Sequence, residues 1–290
     1  MNWVARTAAV LIAVQLVVRA VLAFRGYFYW DDLILTGRAG TQSLLSLAYL
    51  FDDHDGHVMP GAFLVAGGIT RLTPLNWIGP AISLVVLQLL ASLALLRALY
   101  VVLGWRPLLL LPLTFASFTP LGVPAFAWWA AALNSLPMLA AMAWVCADAV
   151  LLVRTGNQRY AVTGLLVYLG GLLFFEKAAV IPFVAFTVAA LYAHVTTSGT
   201  VVEVLRRGGR LWVSAMTLSA AWIVVYLVVV DQKRWSFDVA MTWDLLSRSV
   251  THGIVPGLVG GPWDWQRWAP ASPWATPPVA VMVVGWVALA

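Results

Sequence analysis

The amino-acid sequence predicts an all-α protein, a polytopic transmembrane helical bundle with an interfacial helix in its first outer loop. The chain of 290 residues is 62% hydrophobic and only 10% charged, whereas a soluble domain is about 45–50% apolar and about 25% charged. Its apolar residues fall in long blocks, and several blocks reach the roughly 20 residues that a membrane span needs. These two observations together predict a chain that crosses a bilayer several times.

The apolar blocks predict a single transmembrane domain over residues 1–290, with about seven full spans. The first block exceeds the roughly 7–15 apolar residues of a signal peptide, so we predict that it remains as a span. Glu176 and Lys177 divide the block at 160–194, which as one helix would be far longer than the roughly 30 Å hydrocarbon core, and we predict a hairpin there. The predicted full spans are 4–24, 77–103, 107–120, 126–153, 160–175, 178–194 and 211–230; a shorter apolar piece covers 58–69, and an eighth span from 277 is expected to be truncated at 290.

The distribution of charge orients the spans with the N-terminus inside the cell. In that topology the inner loops are short and basic, and ten of the twelve acids lie outside. Basic residues collect in short cytoplasmic loops of membrane proteins, so the net charge of +5 does not indicate nucleic acid as a partner. Cys146 is the single cysteine, which rules out an intrachain disulfide.

The first outer loop, 25–61, begins with aromatic residues followed by the adjacent carboxylates of Asp31 and Asp32. Near the headgroup plane, desolvation and the repulsion of close carboxylates raise a carboxyl pKa, which suits a general base. A solvated loop start with Asp32 as a helix cap is the alternative. We predict that an interfacial helix follows, capped by Thr41 or Ser43. Its apolar surface would consist of Leu44, Leu45, Leu47, Ala48, Leu50 and Phe51.

A polar cluster closes this loop and directly precedes apolar sequence. The cluster contains Asp52, Asp53, His54, Asp55 and His57, and a helix or turn would place its two histidines on one side. These side chains can hydrogen-bond a sugar or a phosphate. Alternatively, Asp53, His54 and His57 can bind a divalent metal ion through oxygen and nitrogen ligands, although their spacing matches neither a zinc finger nor a zincin. A hydrophilic loop tip is the remaining alternative.

Three further regions carry candidate side chains. Glu176 and Lys177 are ionisable residues between short apolar arms, where such residues are functional candidates or lie solvated at a hairpin tip. Lys177 and, more weakly, Arg25 are candidate ligands of a lipid-linked phosphate. Asn134, one or two turns into a span, can face an internal cavity. The outer loop 231–276 is rich in tryptophan, which stacks on sugar rings or lies at membrane interfaces.

The chain contains no P-loop, Rossmann or nucleophile-elbow motif for a soluble nucleotide or acyl site. It resembles the GT-C superfamily of integral membrane glycosyltransferases that use polyprenyl-phosphate sugars, in particular the actinobacterial type. The resemblance lies in the first span, the Trp30-Asp31-Asp32 segment, the interfacial helix and the segment 52–61, and extends to the Phe174-Phe175-Glu176-Lys177 turn. The chain is shorter than most members of the group, which usually have more spans.

The resemblance implies transfer of a sugar, with inversion, on the outer face of a bacterial plasma membrane. The donor would be a polyprenyl-phosphate sugar, and the acceptor an envelope glycan or protein. Asp31 or Asp32 would deprotonate the acceptor hydroxyl, and the cluster 52–57 would position a substrate, with or without a divalent metal ion. The alternatives are a transporter or flippase of a lipid-linked sugar, and a non-catalytic envelope-biogenesis protein.

Overall fold

A computed structural model describes residues 2–231, 238–254 and 287, and these residues are all-α, as predicted. Residues 2–117 and 125–231 form a helical bundle. Short 3₁₀ segments lie at Pro107–Leu109, Pro120–Gly122 and Glu176–Val180, and a π-helical turn at Ser249–Ile254. The α-helices are α1 Trp3–Phe24, α2 Asp31–Thr41, α3 Leu47–Leu50, α4 Pro60–Leu72, α5 Ile78–Leu103, α6 Leu110–Phe118, α7 Val123–Ala127, α8 Trp129–Thr155, α9 Arg159–Phe174, α10 Ile181–Thr197, α11 Val201–Arg207, α12 Gly209–Val229 and α13 Val239–Arg248.

Five helical segments in the described part of the chain are long enough and apolar enough to cross a membrane. They comprise α1, α5, α8, α12 and the segment 176–197, which contains α10. The other two predicted spans correspond to shorter apolar helices, Pro107–Phe118 and Arg159–Phe174. The chain is therefore a helical membrane protein, and its number of crossings stays a prediction.

Hydrogen bonds between helix ends define two ends of the bundle. The indole Nε1 of Trp77 donates to the carbonyl of Ala23 (2.7 Å), so α5 begins where α1 ends. At the opposite end, Nη1 of Arg154 donates to the carbonyl of Val101 (3.4 Å), so α5 and α8 end together. We call the first the acidic end, because it carries residues 25–61, and the second the basic end, because Arg106, Arg154 and Arg207 lie there.

The most buried helix is α8, which packs between α5, α9 and α10. A polar network within the bundle joins α5, α8 and α9. The carboxylate of Asp148, which is completely buried, forms an ion pair with Arg97 through Oδ1 and accepts a hydrogen bond from the hydroxyl of Thr163 (2.7 Å) through Oδ2. Because both carboxylate oxygens have partners, the network stabilises helix packing at a depth where an unpaired charge would be costly.

The helix of the first outer loop lies earlier in the chain than predicted. The structure has α2 from Asp31 to Thr41, whereas the predicted segment 44–51 forms only the single turn α3, which the hydroxyl of Ser46 caps rather than Thr41 or Ser43. Asp31 and Asp32 favour α2 because carboxylates in a first turn interact well with the helix dipole.

The turn α3 is anchored on α4. Tyr49 is buried and its hydroxyl donates a hydrogen bond to the carbonyl of Phe63 (2.9 Å). Arg71 of α4 donates to the carbonyl oxygens of Ala39 (2.8 Å) and Gln42 (2.7 Å), which satisfies the C-terminal end of α2. The loop therefore folds back onto α4, and these contacts position the polar cluster that follows it.

Parts of two predicted regions lie outside the described residues. Of the Trp-rich outer loop 231–276, the structure describes residue 231 and residues 238–254, which contain α13 and the π-helical turn. Residue 287 is the described position of the predicted eighth span.

Candidate functional site

The two adjacent aspartates at the start of α2 have different surroundings. Asp32 is completely buried, and its carboxylate accepts hydrogen bonds from the backbone N–H groups of Tyr29 (2.9 Å) and Ala130 (2.8 Å). Because Ala130 lies in the first turn of α8, Asp32 satisfies one of the unpaired N–H groups at that helix start. Asp32 therefore ties α2 to α8.

Burial raises the pKa of Asp32 to about 6 from the usual 3.8, and the charge of Asp31 adds to this effect. The backbone hydrogen bonds from Tyr29 and Ala130 act in the opposite direction, because they favour the ionised form. The carboxylate thus titrates near neutral pH while it holds two helices together.

Asp31 is half-buried and faces a cavity. Its Oδ1 is shielded from solvent, and no donor among the described residues reaches it. The preceding residue, Trp30, has φ +46°, a backbone conformation that bulky residues rarely adopt and that recurs at functional sites. Asp31 is therefore the aspartate whose carboxylate oxygen is available to a ligand.

The histidines of the second cluster are paired across a tight turn. The backbone N–H of each donates to the carbonyl of the other, at 3.2 Å for His54 and 3.0 Å for His57. Between them, Asp55 and Gly56 have φ values of +52° and +84°, and Asp-Gly favours the type I′ turn, in which both central residues have positive φ. The prediction that a turn places both histidines on one side is confirmed, since both line the same cavity.

His54 is buried, and burial disfavours the charged form of its ring. Burial lowers the pKa of His54, and the negative charge of Asp31 opposes this shift. Its Nε2 has no hydrogen-bond partner within the described part of the chain. A neutral imidazole with an open ring nitrogen can donate to or accept from a bound hydroxyl group, depending on its tautomer.

His57 is joined to the other predicted cluster. Its Nδ1 lies 2.8 Å from Oε1 of Glu176, and its ring packs edge-on against Phe175. The second oxygen of Glu176, Oε2, is buried and has no partner among the residues described. Glu176 thus orients the ring of His57, because a carboxylate hydrogen-bonded to one ring nitrogen fixes the position of the other.

The remaining predicted residues lie around the site rather than in the cavity wall. Lys177 is exposed and its Nζ lies over the ring of Phe175, 4.9 Å from the centroid. Arg25 is exposed at the C-terminal end of α1. Asp52 forms an ion pair with Arg38 of α2.

Asp53 supports the turn. Its carboxylate oxygens accept from the backbone N–H groups of Gly56 (2.7 Å) and Asp231 (3.1 Å). Both oxygens are therefore engaged, and no three His, Cys, Asp or Glu residues in residues 2–231 and 238–254 are grouped to hold a metal ion. The structure does not assemble the alternative metal site of Asp53, His54 and His57, because the turn directs the aspartate to backbone N–H groups.

The cavity at this end has a volume of about 300 Å³, at the lower limit of small-molecule sites. Four buried polar atoms without partners belong to residues that line it, namely Asp31 Oδ1, His54 Nε2, Trp128 Nε1 and Asn134 Oδ1. Buried polar atoms are nearly always paired in folded proteins, so this concentration indicates a site built for a polar ligand. The lining residues are Asp31, His54, His57, Met59, Ala125, Trp128, Ala130, Ala131, Asn134, Ser135 and Phe175.

The unpaired atoms define the chemistry of the ligand. The oxygens of Asp31 and Asn134 accept hydrogen bonds, the indole of Trp128 donates, and His54 does either. A ligand with several hydroxyl groups, each a donor and an acceptor, satisfies this set. Asn134, which the sequence suggested could face a cavity, does line this one, whereas Ser135 carries no sequence signal that distinguishes it from an ordinary residue of a membrane helix.

Comparisons of the chain with protein-family models, with curated protein sequences and with solved structures found no match. The assignment of a function therefore rests on the geometry of this cavity.

Proposed function

We propose that the chain is a GT-C type glycosyltransferase that transfers a sugar from a polyprenyl-phosphate donor to an envelope acceptor. The observation that carries this proposal is the cavity at the acidic end, which is lined by four residues with unpaired buried polar atoms, namely Asp31, His54, Trp128 and Asn134. Their mixture of acceptors and donors suits a hydroxyl-rich ligand such as a sugar. A helical membrane protein suits a donor whose polyprenyl chain lies in the bilayer.

Asp31 is the proposed general base. Its Oδ1 accepts the proton of the acceptor hydroxyl as the oxygen of that hydroxyl attacks the anomeric carbon of the donor. The bond between the anomeric carbon and the phosphate oxygen breaks, and its electron pair leaves with the polyprenyl phosphate. A single displacement of this kind inverts the anomeric centre. In this assignment Asp32 holds the framework, because its carboxylate is engaged with backbone N–H groups.

The histidines and the two basic residues have supporting roles in the proposal. His57, oriented by Glu176, and His54 bind sugar hydroxyls and hold the substrate against Asp31. Lys177 lies in the 3₁₀ segment after α9 and Arg25 directly follows α1, and both are exposed. In the proposal their positive charges bind the departing phosphate. The active face would be the outer face of a bacterial plasma membrane.

Transport of a lipid-linked sugar is the less favoured alternative. Transporters place ionisable residues at mid-membrane sites that open to a pathway. The ion pair of the half-buried Arg97 with the buried Asp148 is instead engaged within the bundle, because Thr163 donates to Asp148 and Arg97 donates to the carbonyl of Trp144. This arrangement favours a structural role for the pair.

The test is sugar transfer in proteoliposomes that contain the protein and polyprenyl-phosphate sugars of several kinds. We expect Asp31→Asn to reduce transfer by about 10²–10⁴-fold, the usual contribution of a general base. Asp32→Asn, corrected for the amount of folded protein, is expected to retain far more activity. Equal activity of Asp31→Asn and the unmodified protein would overturn the assignment of the base, and donor flipping without transfer would favour the transporter.

A further inference from the structure

The basic end of the bundle contains two adjoining cavities that no part of the proposed transfer uses. Their volumes are about 390 Å³ and 490 Å³, and both are lined by Arg154, Tyr192 and Thr196. The first lies between the ends of α5 and α10 and adds Trp105 and Arg106. The second lies between α10 and α11. The two cavities adjoin at these three shared residues, and we call them together the basic groove.

Three arginines line the basic groove, and two of them are held in place by helix ends. Nη1 of Arg154 donates to the carbonyl of Val101 (3.4 Å), and Nη1 of Arg207 donates to the carbonyl of Val153 (3.1 Å). A guanidinium carries five N–H donors, so each arginine has donors left for an anion. The third, Arg106, lies in the loop after α5.

The negative charge within the groove is already engaged. Glu203 lines the second cavity and is the one acidic residue among the lining residues of the two cavities together. It accepts from the backbone N–H of Thr200 (3.3 Å) in a capping box and lies 4.0 Å from Arg207. The groove therefore presents net positive charge to a ligand.

The two helices that border the groove, α10 and α11, also expose apolar side chains. Val195 is 80% exposed on α10, and Val202 is 71% exposed on α11. Helix α11 exposes Leu205 as well and carries Arg206 and Arg207 in its last turn, the pattern of a short helix lying at an interface. Trp105 and Tyr100, which both line the first cavity, lie with their ring centroids 4.8 Å apart. Aromatic residues at the end of a membrane span anchor a protein in the headgroup region.

We propose that the basic groove binds the phosphate headgroup of an anionic phospholipid, with Arg154 at its centre and Arg106 and Arg207 on either side. Basic pockets between transmembrane helices bind such headgroups, and the exposed valines offer a surface for the acyl chains. A soluble phosphate would use the arginines but gain nothing from the exposed apolar side chains of α10 and α11. The site is independent of the proposed sugar transfer.

The test is lipid retention measured by native mass spectrometry of the full chain in mild detergent, with phosphatidylglycerol, cardiolipin and phosphatidylcholine added at equal concentrations. We expect the anionic lipids to be retained in preference to phosphatidylcholine. Arg154→Gln is expected to weaken that retention about tenfold or more, because it removes charge-assisted hydrogen bonds. Arg106→Gln changes a loop residue and provides a second variant that leaves helix packing in place.

Arg206→Gln is the control, because it also replaces one arginine by glutamine at the basic end. Arg206 lies in α11 but lines neither cavity. It is expected to retain anionic lipid as well as the unmodified protein. Equal retention in Arg154→Gln, Arg106→Gln and Arg206→Gln would overturn the site, as would equal retention of phosphatidylcholine. Displacement of the lipid by inorganic phosphate at similar concentration would assign the groove to a soluble anion and overturn the lipid proposal.

Discussion

Successive side chains of an α-helix point about 100° apart, and this rotation gives Asp31 and Asp32 opposite roles. Asp32 accepts from the N–H groups of Tyr29 and Ala130, so we expect Asp32→Ala to lower the free energy of unfolding by about 1–3 kcal/mol, the cost of leaving buried donors unpaired. Asp31→Ala is the matched control and is expected to leave stability nearly unchanged. Thermal unfolding in detergent measures both; an equal loss in the two variants would contradict the division of roles.

The raised pKa of Asp32 predicts a dependence of stability on pH. The folded-state pKa of about 6 exceeds the usual value of 3.8, so folding favours the protonated form of this residue. Its contribution to stability is fully present below pH 3.8 and is lost as the pH rises through about 6. We therefore expect the unfolding free energy of the unmodified protein, relative to that of Asp32→Asn, to increase as the pH falls from 7 to 4. A difference that stays constant over this range would contradict a raised pKa.

The contact between His57 and Glu176 predicts energetic coupling. The pair joins the turn 54–57 to the segment after α9 at 2.8 Å, and coupling energies between contacting residues are about 0.5–3 kcal/mol. We expect the losses of transfer activity in His57→Gln and Glu176→Gln to be non-additive in the double variant. The pair of His57→Gln and Lys177→Gln serves as the control and should be closer to additive. Additive losses in the first cycle would show that the two side chains act separately.

At the scale of elements, the Asp55-Gly56 turn determines where the histidines lie. Gly56 has φ +84°, and a Cβ at this position would contact nothing within 4 Å, so the cost of a side chain is conformational rather than steric. We expect Gly56→Ala to cost about 1–2 kcal/mol and to lower the proposed transfer activity by displacing the histidines.

The control for this turn is Gly40→Ala. Gly40 lies in α2, and a Cβ there also meets nothing within 4 Å. An alanine inside a helix is stabilising relative to glycine by about 0.5–1 kcal/mol. The two substitutions should therefore shift the midpoint of thermal unfolding in opposite directions; a stabilising Gly56→Ala would contradict the strained turn.

The helices were predicted correctly from the sequence where a local pattern of residues determines them. Long apolar blocks between polar segments predict spans such as α5 and α8 closely, and the adjacent Asp55 and Gly56 lie in the predicted turn. The loop helix was misplaced because its position depends on long-range contacts, including Arg71 with the end of α2 and Tyr49 with Phe63. Apolar residues such as Leu44 fit an interfacial helix and a packed loop equally well.

At the scale of the whole molecule, the candidate site combines residues from distant parts of the chain. The polar clusters at 31–32, 52–57 and 176–177 are visible in the sequence because charge is rare in this chain. The packing of the helices determines that Asp31, His54, His57 and Asn134 line one cavity. It also determines that Asp32 is tethered to α8 and that Lys177 lies away from the cavity wall. A pattern of residue types contains no direct information on these contacts. The sequence therefore names candidate residues but does not show which of them line the cavity and which support it.

The orientation in the membrane is the last prediction at this scale. Short loops with clustered arginines stay in the cytoplasm, so the basic end is expected inside and the acidic end outside. Ser43 and Asn157 are exposed residues at the acidic and basic ends, and the native Cys146 is buried within α8. We expect a membrane-impermeant maleimide to label Ser43→Cys in intact cells, and Asn157→Cys only after permeabilisation. The unmodified protein, which retains Cys146, is the control and should remain unlabelled. Labelling of Asn157→Cys alone in intact cells would show that the predicted orientation is wrong. The proposed base, Asp31, would then lie on the cytoplasmic side.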